Sequence, residues 1–491
     1  MAKKYDKYTR SNDVEISSIT ITSDAGGAQS IKEIVKGFSI YEHIDGQYMI
    51  ATIDFVDNAA FVTKFPIIGQ ETIVIKYRTP GFGYRWSKVK FDVMKIGKRT
   101  KSMRGSSEYY QLTCVSSDKL TLSTNRIGYS MQGTTSKNIR KILRTSGYRK
   151  GKYRVDTSKY YGNWVIPSLT IHETLRFLTK RSRTKTTALS DFILFETSSG
   201  WNCRSLSNLF KKPTTIEYRK TEPDSPRTPM RDYTLIQDMQ VLSYYNRHKE
   251  LNNAQHSGKM ITFDWTKKTT NVSFGNSELV FRERSRTNST LEKNRNLQKK
   301  NRYDTQFDTR VYFRHQSSGL HGVDEKSLDR RIEKNESENI SSHDSVYTTP
   351  SILTNFHSHP NDYQSHLLSR RMSTIGFDSM RVLIKVSGNS SLNVGDVVSL
   401  MIPSSNIPGR KNHDIVDKSV SGRYIITNIK QHVTLLAEQQ FISYIELARD
   451  TSPLTMPDNN KFLGTDKQTA KEISDEKQTL SNEILSLTRK I

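Results

Sequence analysis

Thr52-Ile53-Asp54-Phe55 and Thr262-Phe263-Asp264-Trp265 are two versions of one short strand pattern. Each follows a half-apolar stretch: Ile31, Val35, Phe38, Ser39 and Tyr41 before the first, Leu235, Met239, Leu242, Ser243 and Tyr245 before the second. A glycine-led strand comes next in each region, Gly69-Gln70-Glu71-Thr72-Ile73-Val74-Ile75 and Gly395-Asp396-Val397-Val398-Ser399-Leu400-Met401-Ile402, the second lying beyond a long insertion. Each region closes on a hairpin pattern, with strands expected over 89–96 and 109–115 and over 423–429 and 441–447. Apolar and polar residues alternate there, and β-branched and aromatic residues are enriched, as in half-buried antiparallel strands. Two unrelated hairpin regions could share such a look. Read as a duplication, the pattern has a symmetry consequence: a chain carrying two equivalent modules presents twice its own rotational order, so three chains offer six similar surfaces.

At 491 residues the chain exceeds what one hydrophobic core holds, and three or four units are expected. The expected fold class is α+β and β-rich, with two tube-like antiparallel β-barrel domains, an intervening α/β domain, a polar insertion and a C-terminal helix. Residues 1–117 form the first barrel. A small α/β domain and linker cover 118–230, ending in the proline-punctuated stretch around Pro223, Pro226 and Pro229. In that middle region Thr134-Thr135-Ser136 supplies N-cap hydroxyls to a helix with Ile139, Ile142 and Leu143 on one face, stopping at Gly147. Thr170 with Glu173 three places on is a capping-box signature before Leu175, Phe177 and Leu178. Phe192-Ile193-Leu194-Phe195-Glu196 with Ser198-Ser199-Gly200-Trp201 reads as strand and turn. The second barrel is expected to be discontinuous, 231–265 plus 381–450, around a polar insertion over 266–380. Residues 451–491 form a linker and an amphipathic helix.

Lys and Arg number 75 against 50 Asp and Glu, a net charge of +25, so an acidic partner is expected. Part of that excess is concentrated in the insertion, where Arg282, Arg284, Arg286, Lys293, Arg295, Lys299, Lys300 and Arg302 face only Glu283 and Glu292. Such a run can contact phosphates or an acidic protein surface, or be a solvated face or a loop. Near the end, Ile473, Leu480, Ile484, Leu487 and Ile491 fall on a heptad-like seam. That seam fits a helix docking on a partner or on its own copies, or one packed against its own domain.

Motifs that carry chemistry are few in this chain. Phe356-His357-Ser358-His359-Pro360 offers two imidazoles as some zinc-dependent deubiquitinating-type metalloproteases do, with His366 as a third ligand and Ser369 at a suitable spacing. Met372 stands where the required aspartate should follow, so a three-ligand zinc site is not assembled. No phosphate loop, Cys-x-x-Cys pair or nucleophile elbow occurs, and Gly81-Phe82-Gly83 reads as a flexible turn. Neither a cofactor nor a metal is expected, and no enzymatic activity. The two cysteines, Cys114 and Cys203, sit in strand-like contexts and are expected to be small core residues rather than a disulfide. Residues 1–10 are basic and polar with no apolar run behind them, and no apolar stretch approaches the roughly 20 residues that span a bilayer. A reducing, aqueous compartment is the expectation.

Set in order, these stretches resemble the baseplate hub proteins of contractile-tailed bacteriophages. The likeness rests on Met49-Ile50-Ala51-Thr52-Ile53-Asp54-Phe55-Val56-Asp57, Phe65-Pro66-Ile67-Ile68-Gly69-Gln70-Glu71, Ser421-Gly422-Arg423-Tyr424-Ile425-Ile426-Thr427-Asn428-Ile429-Lys430-Gln431-His432 and Ser443-Tyr444-Ile445-Glu446-Leu447-Ala448-Arg449-Asp450. It spans about two-thirds of the chain, outside the basic insertion and the terminal helix. The resemblance implies a homotrimer whose paired tube-like barrels make a pseudo-sixfold ring between a hexameric tail tube protein and a trimeric central spike protein. It also implies wedge or other baseplate neighbours, DNA passing only in transit, no membrane insertion, and a place in the virion tail after assembly in the host cytoplasm. Type VI secretion and pyocin spike hubs share that arrangement, so a non-phage contractile injection system fits as well. The competing reading is a nucleic-acid-binding protein using the basic insertion.

Overall fold

The computed structural model describes residues 11–220, 233–244, 380–403, 416–435 and 439–450 apart from short internal gaps, a few positions within 280–291 and 369–374, and the strand backbones at 257–264, 269–276, 311–316 and 345–346. Residues 1–453 form one compact unit and 454–491 a second; the second, with the expected terminal helix, lies outside the described residues.

The first module is built from β1 (Glu15–Ser23), β2 (Gly27–Ser30), β3 (Val35–His43), β4 (Ile50–Asp57), the single-turn helix α1 (Phe61–Lys64), β5 (Thr72–Arg78), β6 (Ser87–Lys101) and β7 (Glu108–Ser116). Along β4 and β5 every second residue is buried, as the alternation in sequence requires. Phe38, Ile53, Phe55, Ile73, Ile75, Phe91 and Leu112 meet in one core, each contributing roughly 1.5–3 kcal/mol of burial. Neighbouring strands run antiparallel in the order β3-β4-β7-β6-β5-β1.

The middle region follows: α2 (Asp118–Thr124), β8 (Arg126–Ile127), β9 (Ser130–Thr134), α3 (Thr135–Thr145), β10 (Tyr153–Val155), β11 (Tyr161–Val165), β12 (Leu169–Thr170), α4 (Ile171–Lys180), β13 (Phe192–Thr197), β14 (Gly200–Ser205) and α5 (Leu206–Phe210). Thr134 caps α3 by accepting the Lys137 N–H, and Thr170 with Glu173 forms the reciprocal capping box of α4. Ile139, Ile142, Leu143, Leu175, Leu178 and Trp201 share a separate core. The β13–β14 hairpin turns at Gly200, whose φ of +116° a side chain would strain.

The second module uses β15 (Thr214–Arg219), β16 (Ile236–Tyr244), β21 (Met380–Ser387), β22 (Val397–Met401), β23 (Gly422–Thr434) and β24 (Gln440–Arg449). Between β16 and β21 lies a four-stranded sheet of its own, β17 (Ser257–Asp264), β18 (Thr269–Asn276), β19 (Val311–Gln316) and β20 (Ser345–Val346), in the order β18-β17-β19-β20. The second module's path is β16-β21-β24-β23-β22-β15, strand for strand the path of the first. Only the sixth strand differs: β22 and β15 are parallel, β5 and β1 antiparallel.

The repeat extends to irregularities. Ile236 pairs with Val386 before a register shift, as Val35 pairs with Phe55 before one. A second shift falls after Val93 in β6 and after Ile426 in β23. Across it, the Val93 N–H donates to Glu71 O at 2.9 Å and the Ile426 N–H to Asp396 O at 2.9 Å. These marks equate Ile236 with Val35 and Met239 with Phe38. The sequence comparison, which set Met239 against Val35, was therefore three residues out of register. Its second strand was also misplaced: 262–264 lies in β17, paired with β18 and β19, while the counterpart of β4 is β21. A four-residue likeness cannot distinguish strands that share composition; hydrogen-bonded neighbours can.

Candidate assembly interface

The two modules are sewn into one sheet by β23. Its first residues pair with β22. Beyond the bulge it turns the same edge to β3, with Asn428 opposite His43 and a continuous antiparallel ladder to Thr434 opposite Gly37. Side chains reinforce the ladder. Ser39 Oγ and His432 Nδ1 share a hydrogen bond of 2.8 Å, the Tyr77 hydroxyl donates to Gln431 Oε1, and the Lys430 ammonium lies 5.7 Å from the Tyr41 ring centre. Val433 and Phe441, although carried by second-module strands, complete the first module's core. There Tyr77 meets Phe38 and Phe441 edge-to-face at 5.6 and 6.0 Å. Close approach explains Gly388, where a Cβ would fall 2.0 Å from the Phe441 ring.

Two buried carboxylates lock the middle region against this junction. Glu42, on β3, accepts the Ser198 N–H at 2.8 Å and the Val394 N–H at 3.2 Å, joining first module, middle hairpin and second module. Burial pushes its pKa up to about 7. Glu196, on β13, accepts the Met49 N–H at 3.2 Å and the Ser116 hydroxyl at 2.5 Å, and burial raises it to about 8. Sequence reasoning passed over both. The available signal was the phase of Glu42, which follows Phe38 and Ile40 on the inward positions of β3.

Two edges of the sheet are open among the described residues. β16 pairs with β21 on one side only, and its Val241 and Leu242 are 40% and 43% exposed. In β6, residues beyond Asp92 pair with β7 but not with β5, and Met94 there is 46% exposed.

Of the expected contact residues, Arg284 is corrected. It is buried, bonded to Asp450 Oδ2 at 3.1 Å and Ser373 O at 3.3 Å, with its guanidinium 5.1 Å from the Phe210 ring centre. A planar guanidinium with carboxylate, carbonyl and ring partners tolerates burial. Arg286 is exposed. Arg282, Lys293, Arg295, Lys299, Lys300 and Arg302 lie outside the described residues, as do the seam residues Ile473, Leu480, Ile484, Leu487 and Ile491 and the histidines His357, His359 and His366. Met372 is buried. Among the described residues no group of metal-ligating side chains converges, and no helix is long and apolar enough to cross a membrane. The Cys114 and Cys203 thiols are buried and pushed up to about 12 by that burial, which suits core packing rather than nucleophilic chemistry.

No protein-family model and no curated protein matches the chain. Among solved structures, a tail protein from Neisseria meningitidis MC58 is similar at 8% identity and a TM-score of 0.48, over 88% of this chain and 96% of that one. The 43 kDa tail protein of prophage MuSo2 from Shewanella oneidensis is similar at 11% identity and a TM-score of 0.48, over 88% and 98%. The Francisella PdpA–VgrG complex contains a chain similar at 9% identity and a TM-score of 0.42, over 92% of this chain and 61% of that one.

Proposed function

We propose that this chain is a structural hub of a contractile tail: a homotrimer whose six barrel modules form a pseudo-sixfold ring between a hexameric tube and a trimeric spike, continuing the channel for DNA. One observation carries the reading. The same six-strand path occurs twice in the chain; the two copies are joined by a strand ladder, and among the described residues the counterparts of the joined edges stand open at the far ends. A head-to-tail contact repeated between copies generates a closed ring when its rotation closes. The order of the sequence stretches quoted above supports a tail hub. The role is architectural rather than catalytic, and a hub of a non-phage injection machine uses the same geometry.

Electron-microscope class averages of the purified full chain test this reading. Hollow rings of nearly sixfold outline are expected; compact particles with no central hole, or twofold dimers, would overturn it.

A further inference from the structure

The internal junction specifies how the open edges meet. We infer that the part of β6 over residues 94–101 pairs antiparallel with β16 of a second copy, in the register that β23 adopts with β3. The inference rests on the ring reading and adds the residues that close it.

Strand equivalences set the register from two directions. Through β7 and β24, Thr100 corresponds to His432 and Lys101 to Val433; through β4 and β21, Gln240 corresponds to Ser39 and Met239 to Phe38. The observed pairs His432–Ser39 and Val433–Phe38 therefore become Thr100 opposite Gln240 and Lys101 opposite Met239. On the other flank Ile96 corresponds to Ile429, and Tyr244, next after the counterpart of Tyr41, corresponds to Glu42. The observed Ile429–Glu42 pair becomes Ile96 opposite Tyr244.

The two flanks need not have agreed. Between Gly97 and Thr100, β6 carries one residue more than β23, at a shift where Lys98 has a φ of 49°. An insertion in one strand alone would break the ladder. Between Val241 and Ser243, β16 also carries one residue more than β3. The extra residues fall opposite one another, so a single register, with Gly97 facing Ser243 and Arg99 facing Val241, runs through the contact. Each open edge carries its extra residue where the other does.

The closing contact is more polar than its internal counterpart. Lys101 and Glu108 replace Val433 and Phe441, and they are ion-paired at 3.2 Å. A surface exposed until assembly stays soluble in this form, and charge on an exposed strand edge blocks indiscriminate pairing.

The test is a disulfide between copies. Directly opposed antiparallel residues have Cα separations of about 4.5–5.5 Å, inside the range of a disulfide, whereas diagonal neighbours stand about 7–8 Å apart. Thr100→Cys with Gln240→Cys alters two exposed positions, and the native thiols are buried. Under mild oxidation this pair is expected to give covalent multimers up to the trimer, on the order of tenfold more than Thr100→Cys with Leu242→Cys, because only the direct pair meets the distance requirement. Light scattering of the same samples separates the failures. Trimers that cross-link through the Leu242→Cys pair instead, or through neither pair, overturn the register while leaving the ring; monomers at every concentration overturn the ring reading itself.

Discussion

The ladder between β23 and β3 joins counterparts of the two strands, β6 and β16, whose edges are open among the described residues, and in the proposed ring the two are versions of one contact under different constraints. The first is built within a chain and is never exposed once folding is complete, so Val433 and Phe441 can fill a dry core beside Phe38 and Tyr77. In the proposed ring the second faces water until another copy arrives, and the same positions carry Lys101 and Glu108. On that proposal backbone geometry is shared while side-chain chemistry follows whether the contact is permanent, as is general for strand edges that must avoid unwanted partners.

Breaking the internal contact should have the largest effect. Phe441→Ala removes a fully buried ring at the junction and is expected to cost about 3–5 kcal/mol, read as a lowered unfolding midpoint. Glu108→Ala, at the equivalent position of the open edge, should leave that midpoint nearly unchanged and weaken assembly instead. Equal loss of stability in both variants would remove the distinction.

The carboxylate locks give an intermediate effect with a defined sign. Glu196 titrates near 4.5 when unfolded and about 8 when folded. Its stabilisation as the neutral acid is therefore complete below about pH 4.5, is lost as pH rises toward 8, and changes no further above. Glu196→Gln cannot titrate. The stability of the parent relative to this variant should fall by a few kcal/mol, as an order of magnitude, between pH 5 and pH 8.5, measured by denaturant unfolding at each pH. A constant difference would mean that Glu196 is ionised in the folded protein.

Because Arg99 and Lys101 contact Glu108 at an exposed edge, added salt should weaken ring closure modestly while leaving the internal junction intact. The double change Lys101→Val with Glu108→Phe copies the internal chemistry onto the open edge. It should make the concentration dependence of assembly nearly independent of salt, measured by sedimentation from low to high ionic strength.

Much of the architecture was legible in sequence because its signals are local. Thr134, Thr170 and Glu173 cap their helices through bonds spanning three residues, and the alternation in β5 reports burial directly. The register of the repeat was not legible. Both β3 and β16 contain shifts that interrupt the two-residue period, and the strand equivalent to β4 is separated from β16 by a complete additional sheet. Glu42 and Glu196 owe their role to backbone N–H groups distant in sequence. Arg284 looked like one cation in a solvated run, and only its contacts with Asp450, Ser373 and Phe210 distinguish it.

The mass of the unmodified full chain in solution, followed by light scattering across a concentration series, tests whether the chain assembles into a closed ring. The proposed trimeric ring predicts a plateau at three times the 56.5 kDa chain mass. A single-chain mass at every concentration, or growth without a plateau, would contradict it.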